Sequence, residues 1–173
     1  MHNVKLEKDL YPAMVKWLLQ YLKDRYPNAE IYSIDTSELT LDKVLMQYNV
    51  IDEYPQAVGL DIQIDVLGLV KENHRTKLFF IEAKKTKLTI QHLGQLIVYC
   101  KLIGPQDAFL LSSAGMGSLS KILVNLNRED LLYYSYYKID GNLLCVDTNS
   151  KIHVGAWDVD RNEPIRETMV PIY

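Results

Sequence analysis

Apolar residues recur along the chain with two different periods, and the switches between them mark the elements. Leu10, Met14, Trp17, Leu18, Tyr21 and Leu22 return every three or four positions and form one apolar stripe, the signature of a helix over roughly residues 10–25. Pro12 is tolerated only in a first turn, so this helix begins near Leu10, and Pro27-Asn28 ends it. Glu7 then sits just ahead of the helix or in the turn that leads into it.

EIYSID, residues 30–35, reads as a strand. Residues 36–59 are ambiguous: LTLDKVLMQY is compatible with a short helix, and the following IDEYPQAVG is a loop. In LDIQIDVLGLV the period drops to two: Ile62, Ile64 and Val66 face one way, and Asp61, Gln63 and Asp65 the other. A loop from Lys71 to Thr76 leads into KLFFIEAKK, a second strand, in which Glu82 and Lys84 share a face with Phe80 while Ile81 and Ala83 share the opposite one. Thr89 can cap a helix that runs to about Ile103 and stops at Gly104-Pro105, with Ile90, Leu93, Leu96, Ile97 and Cys100 on its buried side. AFLLSS, 108–113, is a short apolar strand, and SLSKILVNL is a helix. The C-terminal region reads as β: YSYYKI, a turn at Asp140-Gly141, NLLCVD, and a further segment IHVGAWDV. This order predicts an α/β domain with a central mixed β-sheet flanked by helices, plus a C-terminal β-hairpin region.

Length and composition fit that picture. The 173 residues suit one domain, residues 1–173, and 48% apolar with 24% charged residues suits a globular core. No apolar run reaches the roughly 18 residues that span a bilayer, and MHNVKLEKDL has no signal-peptide core, so a cytoplasmic protein without a membrane partner is expected. Cys100 and Cys145 are far apart, and with four scattered histidines they give no zinc-ligand spacing.

The net charge of −3 argues against a nucleic-acid partner until its distribution is considered. Residues 29–65 carry eight acidic side chains against Lys43, while residues 71–101 carry seven basic ones against Glu72 and Glu82. A phosphate-binding surface needs local rather than overall positive charge. On charge alone these lysines are equally an ordinary solvated face.

Phosphodiester hydrolysis needs a hard divalent cation, an activated water and positive charge for the transition state. Mg²⁺ takes oxygen ligands and keeps several waters, so two carboxylates and a carbonyl suffice from a protein. Asp65 on one strand, with Glu82 and Lys84 two apart on the next, supplies the carboxylates and the cation, and Ala83 between them can give its backbone carbonyl.

Asp65, followed after a loop by Glu82-Ala83-Lys84 at the end of an apolar strand, resembles the D…ExK motif of the PD-(D/E)XK nuclease superfamily. Gln95, with Tyr99 one turn on, is similar to the glutamine that several branches place in the helix after this strand. Glu7 resembles the extra acidic residue that some branches use near the metal; by itself it is also a charge suited to a helix start. The resemblance covers about residues 5–113 as an α-β-β-β-α-β core, with 114–173 as an α+β extension. It implies a restriction-endonuclease-like fold and a Mg²⁺-dependent endonuclease acting on DNA, with Mn²⁺ able to substitute. Asp65, Glu82, Ala83 and Glu7 would then surround the metal, Lys84 would activate water and Gln95 would orient it. Two departures stand: Ile64 occupies the place of the motif proline, and Gln91, Gln95 and Tyr99 lie opposite the apolar stripe of their helix.

Several features have plainer readings. Asp61 is a second acidic group or a solvated strand entrance. Lys85 and Lys87 are phosphate contacts or surface lysines, and Gly115, Gly117 and Ser118 form an anion cradle or a simple loop and cap. A homodimer or a partner subunit is expected because one metal site cuts one strand. The candidate interface is the C-terminal β region with Tyr133, Tyr134, Tyr136 and Tyr137, whose rings are otherwise core and edge packing. The rival from another class is a catalytically inactive subunit of the same fold that binds nucleic acid or assists assembly. A small-molecule α/β protein is a weaker rival, since no Gly-rich phosphate loop follows any strand.

Overall fold

The computed structural model describes residues 4–140 and 143–173, and for residues 136–140 and 143–148 the backbone alone. The chain forms helix α1 (Tyr11–Arg25), strand β1 (Glu30–Asp35), helix α2 (Leu41–Gln47), strands β2 (Val66–Glu72) and β3 (Arg75–Lys84), helix α3 (Ile90–Ile103), strand β4 (Asp107–Ser112), a short helix α4 (Gly117–Ser120), and strands β5 (Tyr133–Asp140), β6 (Leu143–Asp158) and β7 (Glu163–Pro164). A single helical turn, Glu7–Leu10, leads into α1, and a π turn over Lys121–Asn125 continues α4.

The strands make one open mixed sheet in the order β1-β2-β3-β4-β6-β5, with β7 attached to β6. β2 runs antiparallel to both β1 and β3, β3, β4 and β6 are parallel, and β5 returns antiparallel on β6. The architecture is α/β, and the segment from α1 to β4 follows the order helix, three strands, helix, strand, with the short α2 inserted. Among the described residues no helix is long and apolar enough to cross a membrane.

Alternation along the strands sorts the core into two layers. Val66, Val70, Phe79, Ile81, Phe109 and Leu111 point toward α1, where Leu10, Met14, Leu18 and Leu22 form the buried stripe. Leu67, Leu69, Leu78, Phe80, Ala108 and Leu110 point to the other face, covered by α2 and α3. Gly68 lets α1 approach: a Cβ there would lie 2.8 Å from Leu22 Cδ1 and 3.1 Å from both Leu18 Cδ2 and Phe79 Cβ. Gly68→Ala should therefore destabilise the chain by about 1–3 kcal/mol through overpacking. Thermal unfolding tests this, and an unchanged melting temperature would mean that α1 shifts freely on the sheet.

The structure departs from the sequence expectations at several points. The alternating run 60–70 is not one strand. β2 starts at Val66, and Asp61 has φ of 52°. Ile62 and Ile64 bury themselves beside α2 and α3, whereas Val66 faces α1. Their carbonyls are taken elsewhere, Ile62 by the Leu41 N–H at 2.7 Å and Ile64 by the Thr36 hydroxyl at 2.6 Å. The loop expected from Lys71 to Thr76 is a two-residue hairpin turn in which Asn73 (φ 51°) and His74 (φ 62°) both take the left-handed conformation such turns require.

At the start of α3 Thr89 is the N-cap, as expected, and its capping box is closed by His92, whose Nδ1 accepts the Thr89 N–H at 3.2 Å. Ile90, assigned to the buried side, is 49% exposed, because the first residue of α3 overhangs the core. The two C-terminal strands expected over 142–147 and 152–159 are one, β6, from Leu143 on, while the expected Asp140-Gly141 turn lies partly outside the described residues.

Candidate functional site

The antiparallel register pairs Val66 with Ile81, so its continuation would place Ile64 opposite Ala83 and Asp65 opposite Glu82. The ladder stops there for an identifiable reason. Asp65 Oδ2 accepts the Ala83 N–H at 2.8 Å, taking the place that the occupied Ile64 carbonyl would have filled. Asp65 Oδ1 accepts the hydroxyl of buried Tyr11, also at 2.8 Å. The carboxylate is thus fixed from two sides at the point where β2 and β3 part.

Glu82 and Lys84 leave the α3-side face of β3 near its C-terminal end. Lys84 Nζ donates to Glu82 Oε1 at 2.8 Å and to Glu7 Oε1 at 3.3 Å. Glu7 Oε2 accepts the Lys85 backbone N–H at 3.2 Å, which ties the turn before α1 to the end of β3. The N–H and C=O of one strand residue leave on the same edge, so the Ala83 carbonyl points to the edge where Asp65 receives its N–H.

These charges are poorly solvated: Glu82 is 7% exposed. Burial, then the Asp65 charge, pushes the Glu82 carboxyl up to about 7, although Lys84 opposes the shift. Burial also raises Asp65 above the usual carboxylate range, against the lowering effects of the Ala83 N–H, the Tyr11 hydroxyl and Lys84. For Lys84, burial disfavours the ammonium, but Glu82 and the other carboxylates outweigh it and its pKa lies above the ordinary value. The site therefore holds more carboxylate than its single ammonium balances.

That imbalance sets a pH dependence. A carboxylate whose pKa is higher folded than unfolded binds protons on folding, so stability falls as pH rises from the unfolded value toward the folded one. Without divalent cations, the contribution of Glu82 is most favourable below about pH 4.5 and is lost as pH passes through about 7. The melting temperature in chelator should fall between pH 5 and 8, and Glu82→Gln should flatten that fall. An equal fall in the variant would assign it to other groups.

Of the residues singled out in the sequence, Asp65, Glu82, Ala83, Lys84 and Glu7 come together here. Gln95 does not join them through any hydrogen bond among the described residues; it is exposed on α3 and donates to the Tyr99 hydroxyl at 3.2 Å. Asp61 is exposed and outside β2. Lys85 Nζ binds the Lys5 carbonyl at 2.9 Å, and Lys87 is exposed. The loop with Gly115, Gly117 and Ser118 packs on Leu88, whose N–H reaches the Gly115 carbonyl at 3.2 Å and whose carbonyl lies 2.5 Å from where a Gly117 Cβ would stand. Close packing accounts for Gly117, and a left-handed backbone with φ of 91° for Gly115.

Two residues escaped the sequence reading. Tyr11 sits at a helix start among core residues, and no spacing rule links its hydroxyl to Asp65. His92 belongs to the turn of α3 nearest Lys84. Burial, then Lys84, lowers its pKa. Its Nδ1 accepts the Thr89 N–H, which leaves Nε2 to carry the proton of the neutral ring.

No protein-family model matches the chain, and neither the curated proteins nor the solved structures contain a match to it.

Proposed function

We propose that the chain is a divalent-metal-dependent endonuclease that hydrolyses phosphodiester bonds in DNA, on a fold of the restriction-endonuclease-like type. The single observation that carries this reading is the convergence of Asp65, Glu82 and Lys84 at the parting of β2 and β3, with two of the three charges poorly accessible to water. Buried charge is costly unless matched, and here the carboxylates outnumber the ammonium.

The donor set suits Mg²⁺ or Mn²⁺. Among the described residues no three His, Cys, Asp or Glu side chains are gathered to hold a metal ion. The set is therefore two carboxylates, Asp65 and Glu82, with the Ala83 carbonyl, and Glu7 serves Lys84 instead. A carboxylate has about four lone-pair positions. Asp65 uses two, for Tyr11 and Ala83, and Glu82 accepts from Lys84, so both retain capacity. Such a set leaves coordination positions to water, as Mg²⁺ prefers.

A divalent cation bound there would polarise the phosphate and lower the pKa of a bound water. The chain's own residues do the rest. Lys84, steered by Glu82 and Glu7, offsets charge that develops on the phosphate. Tyr11 and the Ala83 N–H hold Asp65 in one orientation, so no reorganisation is needed. Lys87 and the N-terminus of α3 lie beside the strand end and offer positive charge to a nucleic-acid backbone.

The inactive-subunit reading has one observation in its favour: both Asp65 oxygens make bonds that a purely structural aspartate would make. Incubation with supercoiled, linear and branched DNA in Mg²⁺, Mn²⁺ or chelator separates the two. Cleavage with either metal and none in chelator is expected, and binding without cleavage under all conditions would favour the inactive subunit.

The dimer expectation needs a different surface from the one drawn on the tyrosines. Tyr134 is 2% exposed and donates to the Pro105 carbonyl at 2.8 Å, so it belongs to the core. Tyr133 is exposed, and the side chains of Tyr136 and Tyr137 lie outside the described residues. Self-association would then involve the edge strand β5 through Tyr133 and its backbone.

A further inference from the structure

A second polar constellation lies at the opposite end of β4 from Lys84. Asp107 opens β4, whereas Lys84 pairs with Ser112 at its close, so the two sites are on the order of 17 Å apart along the strands. A cavity of about 380 Å³ is lined there by Tyr21, Arg25, Asp107, Lys151, His153 and Tyr173, among others. That volume is in the range of small-ligand sites.

Its floor is unusual for a sheet interior. Asp107 and His153 are 3% and 2% exposed. Arg25 Nη1 donates to Asp107 Oδ2 at 2.8 Å and to the Tyr21 hydroxyl at 2.7 Å, which locks the last turn of α1 to β4. His153 Nδ1 lies 2.8 Å from the Pro171 carbonyl, and a carbonyl only accepts, so Nδ1 carries a proton. His153 Nε2 is then the ring's other polar atom. It stands 3.8 Å from Asp107 Oδ1, too far for a direct hydrogen bond. A hydroxyl placed between them could donate to either, and an amino group to both. Arg25 is matched by Asp107, and Lys151 adds a second cation to the lining.

We infer that this cavity binds a small phosphate ester, its phosphate against Lys151 and Arg25 and a hydroxyl or amino group of the same ligand between His153 Nε2 and Asp107 Oδ1. Tyr21 and Tyr173 supply flat walls for a sugar or base. The inference stands apart from the nuclease reading, since it uses none of that site's residues. The phosphate ester can come from a free sugar phosphate or nucleotide, or from a phosphorylated strand end.

Calorimetric titration of the full chain with inorganic phosphate, ribose 5-phosphate, AMP and a 5′-phosphorylated oligonucleotide tests it. Saturable binding of at least one ester is expected, tighter than inorganic phosphate, with the His153 ring resonances shifting on saturation. Lys151→Met keeps the side chain's length at a partly exposed position and should weaken binding at least tenfold, with its melting temperature close to wild type. Binding by the oligonucleotide alone would identify the source as a strand end, and binding by the small esters would identify a free metabolite. No saturation by any probe up to about 10 mM, weaker than about −3 kcal/mol, would overturn the inference. So would affinity and His153 shifts left unchanged in Lys151→Met.

Discussion

Lys84→Ala should abolish DNA cleavage while leaving DNA affinity nearly intact. The ammonium is proposed to act on charge that develops only in the transition state, so kcat falls and binding does not. Loss of one such group is worth about 10²–10³ in rate, about 3–4 kcal/mol. The fold should tolerate the change because Glu82, already near neutral pH in its titration, can take up a proton when its partner is removed. The variant should therefore lose more stability at pH 8 than at pH 5, which a pair of thermal melts would read. Cleavage within about threefold of wild type, at most roughly 0.7 kcal/mol of barrier, would make Lys84 a structural ion-pair partner and remove it from the chemistry.

The second large effect separates Asp65 from Asp61. Sequence periodicity puts both on one face of one strand, but the structure puts only Asp65 beside Ala83 and Glu82. Asp61 lies before β2 with a left-handed backbone and an exposed side chain. Asp65→Asn should remove Mn²⁺ binding in calorimetry and eliminate cleavage. The amide oxygen can still accept the Ala83 N–H, and the Tyr11 hydroxyl can turn to accept from the amide NH2, so folding should survive. Asp61→Asn should change activity modestly at most. Loss of Mn²⁺ binding in Asp61→Asn with retention in Asp65→Asn would move the site into the acidic segment that precedes β2.

The parts of the fold legible in the sequence were those governed by local periodicity. The stripe Met14, Leu18 and Leu22 and the alternation of Leu78, Phe79, Phe80 and Ile81 place α1 and β3 because each side chain's burial follows from its position in a regular element. The start of β2 was not legible. Asp65 ends the ladder by substituting its carboxylate for a main-chain carbonyl, and alternation is blind to that, since Ile62 and Ile64 remain buried whether or not they sit in a strand. The site was visible as a spacing of Asp65, Glu82 and Lys84. Glu7 was visible only through the resemblance, and the other supports were not visible at all, because Tyr11 reaches the site from the far end of the chain and His92 enters through a helix cap. Gln95 illustrates the converse: a residue of suggestive type whose side chain faces outward and bonds to Tyr99.

A divalent cation at Asp65 and Glu82 is proposed to make this chain a nuclease. The most direct measurement follows supercoiled plasmid in one reaction as Mg²⁺ is added, then excess chelator, then Mg²⁺ in excess of the chelator. Nicking should begin with the first addition, stop with the chelator and resume with the last. Nicking that continues through chelation, or plasmid that stays supercoiled with both Mg²⁺ and Mn²⁺, would contradict it.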